Sequence, residues 1–270
     1  MLSAHRMQNT DDRLNSALVA SANSLLRHVV PLFRIQRGKR PTLVGTSLLV
    51  SAAGTNYLVS ARHVLDHAEP PGILHYYVEQ GKLHRLLGRV LRTEPPLGGT
   101  GPDRYDVSIV RLPQNAQAPA ASVWKVAAPL SSLVSAKLPR TGKEYLVTGF
   151  PKSRSRADPH SQQLKSEASG FRVISASASQ YESLGLSEES HIVMPLDIEK
   201  MRFPDGALRR IPDPHGMSGS PVWLLYDSQD SNDPTMTPVV GTVIEYHKSQ
   251  KLLVATDVGV ALHLINESAA

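Results

Sequence analysis

From Thr42 onward, the chain is built from short apolar runs rich in Val, Leu, Ile and Thr, and Gly, Pro, Asn, Asp or Ser separate one run from the next. Short runs of this kind predict β-strands joined by turns rather than long helices. The 270 residues include 18 glycines and 20 prolines, which are enough turn formers for many short strands. The pattern therefore favours an all-β sandwich or barrel.

The earliest of these runs, TLVGTSLLV and TNYLVS, flank a turn at Ala53-Gly54 and predict a β-hairpin. Further strand candidates are ILHYYV, KLHRLLGRVL and YDVSIVRL in the first half, and EYLVTGFP, FRVISAS, HIVMPLDI, SPVWLLY, TPVVGTVIEYH and KLLVATDVGVALHLI in the second. The stretch from about Pro113 to Arg140 is poor in strand signals and is interpreted as the connection between the halves. We therefore expect two packed antiparallel six-stranded β-barrels, one in residues 31–125 and one in residues 126–270.

Two helices are predicted at the ends of the chain. Asp11 or Asp12 can cap a helix that continues to about His28, so residues 1–30 are expected to form an N-terminal helical segment. A short C-terminal helix is expected around Val260 to Asn266. The stretch ALVASANSLL near the N-terminus is too short and too polar for a signal peptide or a membrane span, so no membrane association is expected.

The chain contains no cysteine, which excludes a cysteine nucleophile, a thiolate metal site and any disulfide. Cysteine-free composition favours either a reducing compartment or a bacterial-type fold that does not use disulfides, and the sequence predicts a cytoplasmic protein. The net charge of +5 comes partly from three basic runs, Arg34 to Arg40, Lys152 to Arg156 and Arg209-Arg210. These runs are separate, loop-like and nearly free of aromatic residues, so nucleic acid is not an expected partner.

Three segments carry a complete set of catalytic side chains. YLVSARHVL places His63 just after a predicted strand, YDVSIVRL places Asp106 at the start of another, and PHGMSGSPVW places Ser218 in a glycine-rich loop. A serine hydroxyl becomes a nucleophile when an imidazole takes its proton, and a carboxylate behind the imidazole fixes its tautomer. The set therefore indicates acyl-transfer chemistry.

These segments resemble the motifs of the trypsin-like, chymotrypsin-fold serine proteases. Ser60-Ala61-Arg62-His63 is similar to the family's Thr-Ala-Ala-His, residues 106–110 to Asp-Ile-Ala-Leu-Leu, and residues 216–221 to Gly-x-Ser-Gly-Gly-Pro. GTSLLVS, residues 45–51, resembles the Gly-Thr-Gly strand that precedes the family's histidine. The order His, Asp, Ser also matches this family and differs from that of the α/β-hydrolases. The resemblance spans roughly residues 30–265.

The resemblance implies a serine endopeptidase that hydrolyses peptide bonds through an acyl-enzyme. Ser218 is then the nucleophile, His63 the base and Asp106 the residue that orients it, with a protein or peptide as substrate and no cofactor. The amides of Gly216 and Ser218 are expected to form the oxyanion hole, where glycine permits the backbone conformation required. Met217 stands where trypsin zymogens carry an aspartate, so activation by insertion of a new N-terminus is not expected.

The resemblance also implies that residues 211–216 and 242–249 form the walls of the specificity pocket. The candidate substrate-binding residues within them are Asp213, His215, Thr242, Glu245 and Tyr246. Thr242 is also the nearest candidate for the hydroxyl that the family offers to its triad carboxylate. Val243 falls near the position where glutamyl endopeptidases carry a histidine, so a preference for glutamate before the cleaved bond is not expected.

Alternatives remain open from the sequence. Asp103 is a rival to Asp106, although it lies in a Gly/Pro-rich loop. His67 follows His63 by one helical turn, but there is no HExxH motif, so no metal is expected. The alternative function is a catalytically silent or partner-activated protease-fold protein used for binding or regulation, and an activating protein is then a further candidate partner.

Overall fold

The computed structural model describes residues 22–36, 40–66, 73–79, 82–95, 103–113, 125–135, 138–157, 164–202, 207–225 and 237–269. Most of the predicted N-terminal helix and His67 lie outside these residues. Residues 22–25 are helical, and a short 3₁₀ turn, Leu26–His28, leads directly into the first strand.

Within the described residues, eight strands form the first sheet. They are β1 (Val29–Arg34), β2 (Thr42–Ala52), β3 (Thr55–Ala61), β4 (Leu74–Glu79), β5 (Lys82–Arg85), β6 (Arg89–Arg92), β7 (Val107–Arg111) and β8 (Ala128–Pro129). Their order is β5-β4-β1-β2-β3-β7-β6, with antiparallel neighbours, and β8 pairs with β2 in parallel.

The described residues of the second half of the chain form a six-stranded sheet and two small two-stranded ones. The strands are β9 (Glu144–Gly149), β10 (Ser155–Ala157), β11 (Leu164–Ser166), β12 (Ser169–Ile174), β13 (His191–Pro195), β14 (Met201–Arg202), β15 (Leu208–Arg209), β16 (Pro221–Leu225), β17 (Val239–His247) and β18 (Leu252–Asp257). The six-stranded sheet has the order β12-β9-β16-β17-β18-β13, and β10 pairs with β11 and β14 with β15. The two large sheets lie one after the other along the chain.

Besides the helical residues 22–25, three α-helices accompany the sheets in the described residues: α1 (Arg62–Leu65), α2 (Ala178–Leu184) and α3 (Val258–Ala269). The predicted C-terminal helix is confirmed as α3, which starts earlier and ends later than expected. Asp257 caps it, because its Oδ1 accepts the Gly259 N–H at 2.7 Å. Among the described helices, none has the length and apolar character needed to cross a membrane.

The all-β prediction with two antiparallel sheets is confirmed, and so is the hairpin of β2 and β3. Ala53 and Gly54 both have positive φ, +47° and +77°, as a two-residue hairpin turn with the twist of its strands requires. In the described residues, however, the first sheet contains eight strands where six were predicted. The eighth, β8, has only two paired residues, which is too short to leave a pattern in the sequence.

Strand β1 was not predicted, because its residues follow directly on the expected helix. Its first five residues are buried, since the strand lies between β2 and β4 with apolar contacts on both faces. A run that is apolar on both faces carries no alternation, so the sequence alone does not distinguish it from a helix.

One apolar cluster holds the two sheets and α3 together. Its members include Phe33 of β1, Leu146 of β9, Trp223 of β16 and Ile265 of α3. The indole N–H of Trp223 is also satisfied, because it donates to the Thr148 hydroxyl at 2.8 Å. Burial of side chains of this size contributes about 1.5–3 kcal/mol each, so the shared cluster fixes how the sheets meet.

Candidate active site

The register of two neighbouring strands brings His63 and Asp106 together. Ala61, the last residue of β3, pairs with Val107, the first residue of β7. His63 lies in α1, which directly follows β3, and Asp106 directly precedes β7. The two side chains therefore meet at one end of the strand pair although 43 positions separate them in sequence.

Asp106 is held against the start of α1 by three contacts. Its Oδ2 lies 2.6 Å from Nδ1 of His63, its Oδ1 accepts the backbone N–H of His63 at 3.0 Å, and its carbonyl accepts the Arg62 N–H at 2.7 Å. Asp106 has φ +47°, a left-handed conformation that costs a residue other than glycine about 1–3 kcal/mol. Because Nδ1 of His63 donates to the carboxylate, Nε2 is left to accept a proton.

Opposing influences act on the pKa of His63. Partial burial of the imidazole lowers the pKa, whereas the hydrogen bond to Asp106 and the charges of Asp106, Asp66 and Glu245 raise it. The carboxylates prevail, and the pKa is raised above the usual 6.5. The side chain of His63 is 51% exposed, so a substrate can reach it. The site therefore contains an accessible base that is made more basic by its neighbours.

Asp103, the rival carboxylate, has other partners. One oxygen accepts a hydrogen bond from the Thr93 hydroxyl, and the other accepts the Tyr105 N–H at 3.0 Å. Arg62 also lies 3.5 Å from it, and the Asp103 side chain is 8% exposed. These contacts shape the turn before β7, whereas the carboxylate that contacts the imidazole is that of Asp106.

Ser218 lies in the turn before β16, and backbone bonds from both sheets hold this turn. The Ser218 carbonyl accepts the Thr46 N–H at 2.8 Å, and Gly219 N–H donates to the Val243 carbonyl at 2.7 Å. Gly219 has φ +87°, and a Cβ at that position would lie 2.0 Å from the Thr46 carbonyl oxygen and 2.1 Å from Oγ of Ser60. No side chain fits there, so the turn depends on glycine at position 219.

Thr46 is a site residue whose role sequence reasoning missed. Its hydroxyl donates to the Gly216 carbonyl at 3.1 Å and accepts the Phe150 N–H at 3.1 Å, while its carbonyl accepts the Ser60 hydroxyl at 2.6 Å. Thr46 is fully buried in β2 and thus ties the Ser218 turn to both sheets. The resemblance of GTSLLVS drew attention to this strand, but a bond between residues 170 positions apart leaves no local pattern.

The predicted oxyanion donors, the amides of Gly216 and Ser218, are free to bind a ligand. Among the hydrogen bonds of the described residues, none uses either N–H as a donor. The His215 carbonyl accepts the Lys152 N–H at 2.8 Å. Since a trans peptide directs its N–H opposite to its carbonyl, this bond turns the Gly216 N–H away from Lys152. Gly216 has φ +94°, as predicted for a position that requires glycine.

Two cavities meet at the candidate catalytic residues. The larger has a volume of about 1050 Å³ and is lined by His63, Asp106 and Ser218 together with residues of β17 and of the segment before Ser218. The smaller, about 390 Å³, is also lined by His63 and Ser218, and in addition by Gly216. A polypeptide that crosses Ser218 can therefore occupy both cavities at once.

Four of the five predicted substrate-binding residues, Asp213, His215, Glu245 and Tyr246, line the larger cavity. The Asp213 carboxylate accepts the His215 N–H at 2.9 Å, and the Tyr246 hydroxyl donates to the Leu196 carbonyl at 3.0 Å. Glu245 lies 3.2 Å from His247, so an ion pair forms there when that imidazole is protonated.

Thr242, the fifth candidate, lines neither cavity. It is 3% exposed, and it lies just before a bulge in β17 between Val243 and Glu245, where the residues that line the larger cavity begin. A hydroxyl that contacts the segment next to Asp106 is instead that of Thr256, which donates to the Tyr105 carbonyl at 2.6 Å. A bulge shifts the alternation of side chains, and the sequence carried no sign of it.

Met217 is 1% exposed and packs in the apolar core of the second sheet. Its N–H donates to the Pro214 carbonyl at 2.8 Å, which closes the turn before Ser218. The buried side chain of Met217 and this backbone hydrogen bond therefore hold the turn together.

Comparison with known proteins gives structural matches but no sequence match. No protein-family model and no curated protein sequence matches the chain. The solved structure of neuropsin, a serine protease expressed in the limbic system of mouse brain, matches with a TM-score of 0.55 at 14% identity, covering 92% of this chain and 96% of that one. Rv3671c of M. tuberculosis, in an inactive mutant form, matches with a TM-score of 0.48 at 15% identity, covering 93% and 92%. The likeness to neuropsin shows that the fold is chymotrypsin-like.

Proposed function

We propose that the protein is a serine endopeptidase that cleaves peptide bonds through an acyl-enzyme. The observation that supports this most directly is the 2.6 Å contact between His63 and Asp106 beside cavities that Ser218 also lines. The amides of Gly216 and Ser218, which donate to no acceptor in the described part of the chain, add the donors that such a reaction requires.

In the proposed reaction, Oγ of Ser218 attacks the carbonyl carbon of the substrate, and Nε2 of His63 takes the hydroxyl proton. Negative charge then develops on the carbonyl oxygen, where the amides of Gly216 and Ser218 donate hydrogen bonds; such donors contribute about 2.7–4 kcal/mol each. Asp106 stabilises the imidazolium, which gives its proton to the leaving amine. Water, activated by the same imidazole, releases the acyl group from Ser218.

Labelling with a fluorophosphonate probe tests this proposal, because the probe reacts only with a serine that has an active base. We expect the wild-type chain to be labelled and the Ser218→Ala variant to be unlabelled, with matching loss of cleavage across a peptide library. Ser220→Ala is the control, since it removes the other serine hydroxyl of the same turn. Labelling that persists in Ser218→Ala would contradict the assignment of the nucleophile.

The same measurement distinguishes the alternative function. A wild-type chain that is folded by circular dichroism yet neither labelled nor active would support a silent or partner-activated binding protein. Recovery of labelling after addition of a cell extract would favour activation by a partner.

A further inference from the structure

The smaller cavity beside Ser218 has an unbalanced charge. Three of its lining residues, Arg34, Arg40 and Lys152, are cationic, and no aspartate or glutamate is among the described residues that line it. The larger cavity differs, because five carboxylates line it alongside its basic residues: Asp66, Asp103, Asp106, Asp213 and Glu245. The two sides of the nucleophile therefore present different charges to a bound polypeptide.

The positive charge of the smaller cavity is not neutralised within the described part of the chain. None of Arg34, Arg40 and Lys152 forms an ion pair with a described carboxylate, whereas Arg62 and Arg92, near the larger cavity, both contact Asp66. Nε of Arg34 is buried and has no hydrogen-bond partner among the residues that the structure describes. A buried polar group without a partner carries a desolvation cost that a bound acceptor would relieve.

Lys152 links this charge to the candidate oxyanion hole. Its backbone N–H holds the His215 carbonyl at 2.8 Å, so the residue that carries the charge also adjoins the peptide of Gly216. An anion bound between Lys152 and the two arginines would lie at one side of Ser218. Its attraction to the cations is strongest where protein surrounds the site, because walls of low dielectric focus the field.

We propose that the smaller cavity binds an acidic side chain, Asp or Glu, on the leaving-group side of the cleaved bond. This inference rests on the proposed function, under which the residue before the cleaved bond occupies the larger cavity and the residues after it occupy the smaller one. The preferred substrates are then peptides with a carboxylate shortly after the cleavage point. Charge, rather than shape, makes this selection.

The first test compares matched peptide substrates that differ only after the cleaved bond. Glu is placed at each of the first three positions in turn, and the corresponding Gln peptides serve as neutral isosteres. At the best position, we expect kcat/KM for Glu to exceed that for Gln about tenfold at low salt, and the ratio to fall as salt screens the charges. Equal rates for Glu and Gln at all three positions would overturn the inference.

Charge-reversal variants locate the effect. We expect Arg40→Glu and Lys152→Glu each to abolish or invert the Glu/Gln ratio, whereas Arg89→Glu, a matched change on an exposed residue of β6, leaves the ratio as in wild type. Using a ratio within each variant removes differences in the fraction of active protein. If the Glu/Gln ratio is unchanged in both Arg40→Glu and Lys152→Glu, the preference for Glu does not arise in the smaller cavity, and the assignment is overturned.

A binding measurement keeps the inference testable if the chain shows no hydrolysis. Fluorescence anisotropy of the Glu and Gln peptides with Ser218→Ala reports affinity without catalysis. One outcome is salt-sensitive binding of the Glu peptide that Arg40→Glu weakens, together with a wild-type chain that the probe does not label. This outcome would support an acidic-peptide site and contradict the proposed function. Equal affinity for both peptides would overturn the inference whether or not the wild-type chain cleaves.

Discussion

The His63–Asp106 pair and the turn around Ser218 reach the same site by different physical means. The pair is held by side chains and by the register of two adjacent strands, β3 and β7. The turn is held through its own backbone carbonyls and amides, which bond to the N–H and hydroxyl of Thr46 in the other sheet and to the Val243 carbonyl in β17. The His63–Asp106 pair therefore depends on two neighbouring strands of one sheet, whereas the Ser218 turn depends on both sheets, including Thr46, which bonds to Gly216 across 170 positions.

This difference predicts how each part fails. A change in the pair removes a charge or a proton carrier, so it alters the chemistry and its pH dependence while most of the fold persists. A change in the bonds of the turn releases backbone groups, so it loosens the donors for the oxyanion and costs stability as well.

The largest effect is expected from Asp106→Asn. An amide beside Nδ1 favours the wrong imidazole tautomer, and this change lowers kcat by about 10⁴ in enzymes that use such a triad. We expect a loss of that order with little change in circular dichroism. Steady-state kinetics with protein titrated by a fluorophosphonate probe gives the measurement.

Asp103→Asn is the matched control for the carboxylate pair. The Asp103 carboxylate accepts hydrogen bonds from the Thr93 hydroxyl and the Tyr105 N–H. Asp103→Asn should therefore lower the unfolding temperature and leave kcat nearly unchanged. An equal loss of kcat in Asp103→Asn and Asp106→Asn would contradict the assignment of Asp106 as the carboxylate that orients His63.

The same contrast explains what the sequence allowed to be predicted. His63, Asp106 and Ser218 stand next to strand ends, so motif and strand pattern together pointed to them. Thr46 escaped because its hydroxyl acts on Gly216 across 170 positions, and only the packed fold brings the two together.

Departures from regular strand patterning account for the other differences. The bulge in β17 re-aims the side chains after Val243, and Thr242, which precedes the bulge, lines neither cavity. Strand β1 is apolar on both faces and follows directly on a helical sequence pattern. It forms a strand because pairing with β2 and β4 buries both of its faces. Local sequence patterns therefore identify site residues near strand ends better than they predict backbone conformation that depends on contacts with residues distant in sequence.

An intermediate effect is expected from Thr46→Val, which keeps the shape of the side chain and removes its hydroxyl. The Gly216 carbonyl loses its donor, and the buried Phe150 N–H loses its acceptor at a cost of about 1–3 kcal/mol. We expect kcat to fall about tenfold to a hundredfold, since one oxyanion donor is worth up to about 10²–10³ when it is lost entirely. Thr46→Ser should retain most of the activity.

Ser47→Ala is the control for the loss of a buried hydroxyl from β2. Ser47 is also fully buried, and its hydroxyl donates to the Val30 carbonyl at 3.2 Å, within the first sheet. Both variants should unfold at lower temperature, but only Thr46→Val should lose kcat. A parallel loss in both would mean that Thr46 contributes only general stability.

The smallest effect concerns the charges around His63 and appears as a shift in pH dependence. The base works only when its imidazole is neutral, so kcat/KM should rise with pH through a pKa that lies above the usual 6.5. Asp66→Asn removes one of the charges that raise this pKa, and the acidic limb should move to lower pH by less than about one unit. Glu267→Gln, whose carboxylate lies beside His263 in α3, should leave the limb in place.

The raised pKa of His63 also links protonation to folding, with a fixed sign. Because the folded chain binds this proton more tightly than the unfolded chain, the contribution to stability is full below about pH 6.5, the unfolded value. It is lost as pH rises through the raised pKa of the folded state. The Asp66→Asn variant should therefore lose some stability at acidic pH relative to wild type and approach it again once His63 is neutral. An acidic limb that stays in place in Asp66→Asn, with no change in this pH-dependent stability, would show that Asp66 does not contribute to the basicity of the imidazole.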